Sequence, residues 1–88
     1  MNILKGVDIM TLADLLPGDS GIIQTIDGEG LLLRRLADLG LLPGTYIQVQ
    51  FSGRSGDPTA YRVRGSLLAL RQSTAKNIIV YPLGRSSS

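Results

Sequence analysis

Arg35-Leu36-Ala37-Asp38-Leu39-Gly40-Leu41-Leu42-Pro43-Gly44, continued by Thr45-Tyr46-Ile47-Gln48-Val49-Gln50-Phe51, is the stretch that decides the fold. Its first part belongs to a helix over about Glu29 to Leu39, and Gly40 is placed to end it as the left-handed cap. Pro43 and Gly44 suit the two central positions of a type II turn, in which Gly takes the positive φ. From Thr45 the period changes to two. Ile47, Val49 and Phe51 lie on one face, with Tyr46, Gln48 and Gln50 on the other, as in a strand with one buried side. Helix, turn and strand follow one another without a linker.

Working outward, Ala13-Asp14-Leu15-Leu16-Pro17-Gly18 echoes the same solution earlier in the chain. Thr11 is placed to cap a short helix that Pro17 ends, and Ser20 to Ile26 reads as a strand with a bulge at its Gly-rich start. Ser52-Gly53-Arg54-Ser55-Gly56-Asp57-Pro58 is a loop. Beyond it Tyr61 and Val63 alternate with Arg62 and Arg64, and Gly65 turns the chain into Leu67–Arg71. Ser73 is placed to cap one helical turn, and Asn77–Tyr81 is the closing strand, stopped by Pro82. Short strands at close spacing, with 11 glycines in the chain, predict a small barrel. The expectation is mainly β: about five short strands, one inserted helix and a short N-terminal helix. Residues 1–10 are expected to be a variable lead-in, 11–82 a single domain and 83–88 a disordered tail.

The composition excludes more than it suggests. At 88 residues the chain is one domain, and 43% apolar residues can fill its core without cross-links. There is no His and no Cys, so soft and borderline metal ligands and the usual nucleophile–base pairs are missing. No catalytic, cofactor or metal site is therefore expected. Ser73-Thr74-Ala75-Lys76 matches a serine–lysine nucleophile pattern, but its companion motifs S-D-N and K-T-G are absent. Gly28-Glu29-Gly30 is half of a dinucleotide fingerprint without its third glycine, and reads as a turn. The net charge is only +2, the basic residues are scattered and aromatics are 5%, which argues against nucleic acid. No apolar run reaches the ~18–20 residues that span a bilayer, and the start has no signal-peptide core. Cytoplasmic location, without membrane insertion, is the expectation.

On a helical wheel of residues 29–39, Leu32, Leu36 and Leu39 form one narrow stripe, the expected buried face. Arg34 and Asp38 lie opposite at i, i+4 spacing. Leu31 projects near this polar side. A leucine outside so small a core, flanked by Arg34 and Arg35, marks a candidate contact with another protein or with an identical subunit. The loop around Arg54 is the second candidate.

Together these pieces resemble the FeoA family of bacterial ferrous-iron transport proteins. The resemblance runs from about Leu12 to Val80. It is carried by Leu16-Pro17-Gly18 with Gly21, by Arg35 to Gly44, by Gly56-Asp57-Pro58 and by Tyr61-Arg62-Val63-Arg64-Gly65. Leu68-Ala69-Leu70-Arg71 and Ala75-Lys76-Asn77-Ile78-Ile79-Val80 complete it. It implies an SH3-like barrel with an inserted helix, and an accessory role toward FeoB, the membrane transporter with a cytoplasmic GTP-binding domain. The same pattern resembles the SH3-like terminal module of metal-dependent transcription regulators. That alternative expects a helix-turn-helix and a metal-binding domain upstream, and the few residues before Leu12 favour the transport reading.

Overall fold

In the computed structural model of the protein, which describes residues 10–54 and 56–85, helix α1 spans Gly30–Asp38. Its end is the Schellman arrangement. Gly40 sits at φ +90°, its N–H donates to Ala37 O at 2.9 Å, and the Leu41 N–H donates to Leu36 O at 2.9 Å. The apolar residues that flank this motif, Leu36 and Leu41, are both buried in the one core.

Two identical turns then organise the sheet. Asp19 N–H donates to Leu16 O at 2.8 Å and Thr45 N–H to Leu42 O at 3.0 Å, closing the two Pro-Gly turns. Gly18 and Gly44, at φ +96° and +92°, take the position in a type II turn where only glycine is unstrained. Each turn launches a strand: β2 is Asp19–Ile26 and β3 is Tyr46–Ser52. With β1 (Met10–Thr11), β4 (Thr59–Val63), β5 (Ser66–Leu70) and β6 (Ile78–Arg85), they form one antiparallel sheet in the order β1-β6-β2-β3-β4-β5. Six strands replace the expected five because two residues ahead of the first helical turn pair with β6, Met10 with Val80 and Thr11 with Ile79.

The expected N-terminal helix is a 3₁₀ turn, Leu12–Asp14, in which the Asp14 carboxylate accepts the Thr11 N–H at 2.9 Å. It packs against α2 (Gln72–Ala75), so that the fully buried Leu12 and Ala75 share one core with Ile23, Ile47, Val49, Tyr61, Ile78 and Val80.

Four local expectations are corrected. Leu39 is 48% exposed, because it is the C-cap of α1 and has left the helical path; Leu41 takes its place inside. Phe51 is 56% exposed, because β3 and β4 slip register between Val49 and Phe51. One extra residue there moves the following side chain to the opposite face. Pro82 does not stop β6. Ser20 pairs with Gly84 and Gly21 with Pro82, so Leu83 is an extra residue at a bulge that accommodates the proline's missing N–H. The strand thus reaches Arg85, and only 86–88 of the expected tail lie outside the described residues. Likewise only Met10 of the lead-in is described. Last, Ser73 does not cap α2: the Asp57 carboxylate accepts the Gln72 N–H at 3.0 Å instead.

That bond ties Asp57, just before β4, to the start of α2, beside the Thr59–Leu70 pair of β4 and β5. The Gln72 side-chain amide donates to Thr59 Oγ1 at 3.0 Å and Tyr61 Oη at 3.4 Å, and Thr59 Oγ1 donates to Gly56 O at 3.1 Å. Burial pushes the Tyr61 hydroxyl above its usual range, opposed by its hydrogen bonds with Gln72 and Thr59 and reinforced by the Asp57 charge.

Candidate functional site

Helix α1 is held by one side only. Leu36 is 3% exposed and Leu32 packs at the margin of the core, whereas Leu31 is 71% exposed. The helix meets the core through Leu36 and Leu32 and turns Leu31 outward, a leucine that a thin core would bury if the backbone allowed it. Glu29, Leu31, Leu32 and Arg35 line a shallow cleft of about 390 Å³. The structure therefore brings Leu31 and Arg35 together. Arg34 is exposed on the same helix but does not line the cleft.

Arg54 is exposed and belongs to a different place. It follows the end of β3, while α1 precedes its start. The seven residues of β3 set its own two ends roughly 20 Å apart, and Arg54 does not line the α1 cleft. The candidate set is two surfaces, not one.

The α1 surface suits protein recognition. A protruding leucine can fill a partner's pocket, and a guanidinium at its rim fixes orientation through forked hydrogen bonds. Among the described residues no three of His, Cys, Asp and Glu converge as metal ligands, and no helix is long and apolar enough to cross a membrane.

A second concavity was not singled out by the sequence. The Leu42–Tyr46 segment and the β4–β5 hairpin, with Arg62, Arg64 and Gly65, line a cleft of about 590 Å³. Half of its signal was legible: Arg62 and Arg64 alternate with the buried Tyr61 and Val63, so both must face outward. Its other wall comes from some twenty residues earlier and is supplied only by the pairing of β3 with β4.

Comparison with known proteins places this architecture. The FeoA domain family matches residues 10–82. A fusion of Fe(2+) transport protein A with the Fe(2+) transporter FeoB from Porphyromonas gingivalis is 31% identical over 71 residues, covering 81% of this chain. This chain spans 8% of that relative's length. The FeoA-like protein of Clostridium acetobutylicum superposes with a TM-score of 0.81 at 31% identity, covering 92% of this chain and 94% of the other. The zinc complex of Stenotrophomonas maltophilia FeoA, described as a prokaryotic SH3 domain protein, gives 0.71 at 29% identity, covering 81% and 88%. A manganese-dependent transcriptional repressor shares the fold, at 0.78 and 20% identity, over 85% of this chain and 41% of its own. That likeness is one of fold alone. The mainly β, SH3-like sheet and the match over nearly all described residues lead to one conclusion: this chain belongs to the FeoA family of ferrous-iron transport.

Proposed function

We propose that the protein is a cytoplasmic accessory factor of ferrous-iron uptake, acting by direct contact with the cytoplasmic part of a FeoB transporter. The observation that carries this reading is the Porphyromonas gingivalis relative, in which the two partners are one polypeptide. Fusion keeps a weak partner at high effective concentration, and selection gains from it where the two must meet. The contact surface is the outward side of α1. Leu31 is the anchor, Arg35 and Arg34 are the rim, and α1 gives up little core packing by presenting them. The action is one of binding, with no chemical step assigned to the chain.

The test is a pull-down and titration against the FeoB cytoplasmic domain, with and without guanine nucleotide. The parent protein is expected to bind. Leu31→Ser and Arg34→Glu should each weaken binding by roughly 1–2 kcal/mol while leaving the thermal midpoint nearly unchanged. Absence of binding by the parent overturns the reading. Binding that survives both substitutions but is lost on Arg54→Glu moves the contact to the other surface.

A further inference from the structure

We infer that the cleft between the Leu42–Tyr46 segment and the β4–β5 hairpin binds an acidic peptide segment of a partner protein, independently of α1. The two clefts share no lining residue. Charge is the first argument. Arg62 and Arg64 line this cleft and, among the described residues, no acidic side chain does. With 9 basic and 7 acidic residues in the chain, the formal surplus of +2 equals the charge of these two arginines. Register is the second. Arg62 pairs with Gln48 and Arg64 follows directly on the end of β4, so both arginines border the Leu42–Tyr46 wall.

Arg64 supplies the third argument. It sits at φ +53°, the one non-glycine at positive φ among the described residues, in the two-residue Arg64–Gly65 hairpin loop. Asn, Asp or Gly is the usual choice there, and a long side chain strains the backbone. Strain of this kind collects where a side chain is needed in a fixed place. The Arg64 stem runs past the end of α1, where a Cβ built on Gly40 would stand 3.3 Å from Arg64 Cδ.

The lining decides between a peptide and a small anion. Leu42, Pro43 and the half-exposed ring of Tyr46 form an apolar wall beside the two cations. Small ligands are mostly enclosed by their sites, and this cleft is open. A peptide with carboxylates on either side of an apolar residue satisfies both halves: guanidinium forks take the carboxylates and the wall takes the side chain.

The experiment is an amide-resolved NMR titration of the full chain with a blocked pentapeptide, Asp-Glu-Phe-Glu-Asp. A Lys-Lys-Phe-Lys-Lys peptide and inorganic phosphate serve as controls. The acidic peptide should shift the amides of Gly44, Tyr46, Arg62 and Gly65, with affinity falling as salt is added. Arg62→Ser and Arg64→Asn should each weaken it about three- to fivefold, as exposed charge pairs do. Asn tolerates positive φ, so Arg64→Asn should hold or raise the thermal midpoint while losing affinity, which a merely structural arginine would not do. The inference is overturned if the acidic peptide leaves these amides unmoved, or binds the double variant as well as the parent. It is equally overturned if phosphate alone gives the same shifts, or if dilution without peptide does, which would assign the cleft to a free anion or to a second copy of the chain.

Discussion

Leu15-Leu16-Pro17-Gly18 and Leu41-Leu42-Pro43-Gly44 are the same device used twice, each residue of the first having its counterpart 26 positions on. In each, the first leucine is buried, the second is exposed, and the glycine stands at a φ near +95°. Each also clasps the strand that the other launches. The Gly18 N–H donates to Val49 O at 2.9 Å, and the Gly44 N–H to Ile23 O at 2.7 Å. Val49 is the counterpart of Ile23 under the same offset, so β2 and β3 are related by a local two-fold axis with one turn at each end. What differs is the company. A single 3₁₀ turn leads into the first device, while the nine-residue α1 and its Schellman end lead into the second. Only the second faces Arg62 and Arg64. Local sequence makes the turn; distant sequence decides what the turn is used for.

The comparison breaks most readily at the paired leucines. Leu41 has no exposed surface and completes the end of α1, whereas Leu15 retains 7%. Truncating a buried leucine to alanine costs the transfer energy of the lost atoms plus a cavity term. Urea unfolding should give a loss of about 3–4 kcal/mol for Leu41→Ala and about 2–3 kcal/mol for Leu15→Ala. If Leu15→Ala is the more damaging, the first device and not the second is the tighter anchor of the sheet.

The glycines should sharpen the likeness instead. At Gly44 an added Cβ meets nothing within 4 Å, so the cost of alanine is the backbone alone. An L-residue held in the left-handed region loses roughly 1–2 kcal/mol. Gly44→Ala should therefore cost that much, and Gly18→Ala, at nearly the same φ, should match it within error. A large inequality between the two would show that the local two-fold axis does not extend to the turns.

How much of this was legible follows the same division. Gly40, Pro17-Gly18 and Pro43-Gly44 act through their own backbone, and each sits where the sequence put it. So does Leu31, whose outward position needs only the helical period. Leu39 is a local miss, made by the helix ending one residue before it, and the others depend on residues far away in the chain. Phe51 turns outward because β4 pairs with β3 out of step beyond Val49, and nothing in its own alternation records that. Gly21 is needed because a Cβ there would stand 2.8 Å from Tyr81 O, the close approach that lets β6 run on past Pro82. The arginine cleft is the functional case of the same rule. Arg62 and Arg64 were visibly outward, but the apolar wall opposite them belongs to the second turn.

The finest distinction lies in how each turn is braced. Asp19 Oδ2 accepts the Leu16 N–H at 2.9 Å, folding the carboxylate back over the first turn. The counterpart Thr45 does something else: its Oγ1 donates to Gly40 O at 3.3 Å, bracing the end of α1 rather than the turn. A hydrogen bond to a charged acceptor at good distance is worth more than a long one between neutral groups. Asp19→Ala should lower stability by about 1 kcal/mol and Thr45→Ala by about 0.5 kcal/mol or less. Asp19→Asn separates charge from geometry, since its amide oxygen can still accept the Leu16 N–H. Recovery of most of the loss would assign the brace to the hydrogen bond; no recovery would assign it to the charge. In either case the two variants should stay unequal, because Asp19 braces its own turn whereas Thr45 braces the end of α1, which its Schellman bonds already hold.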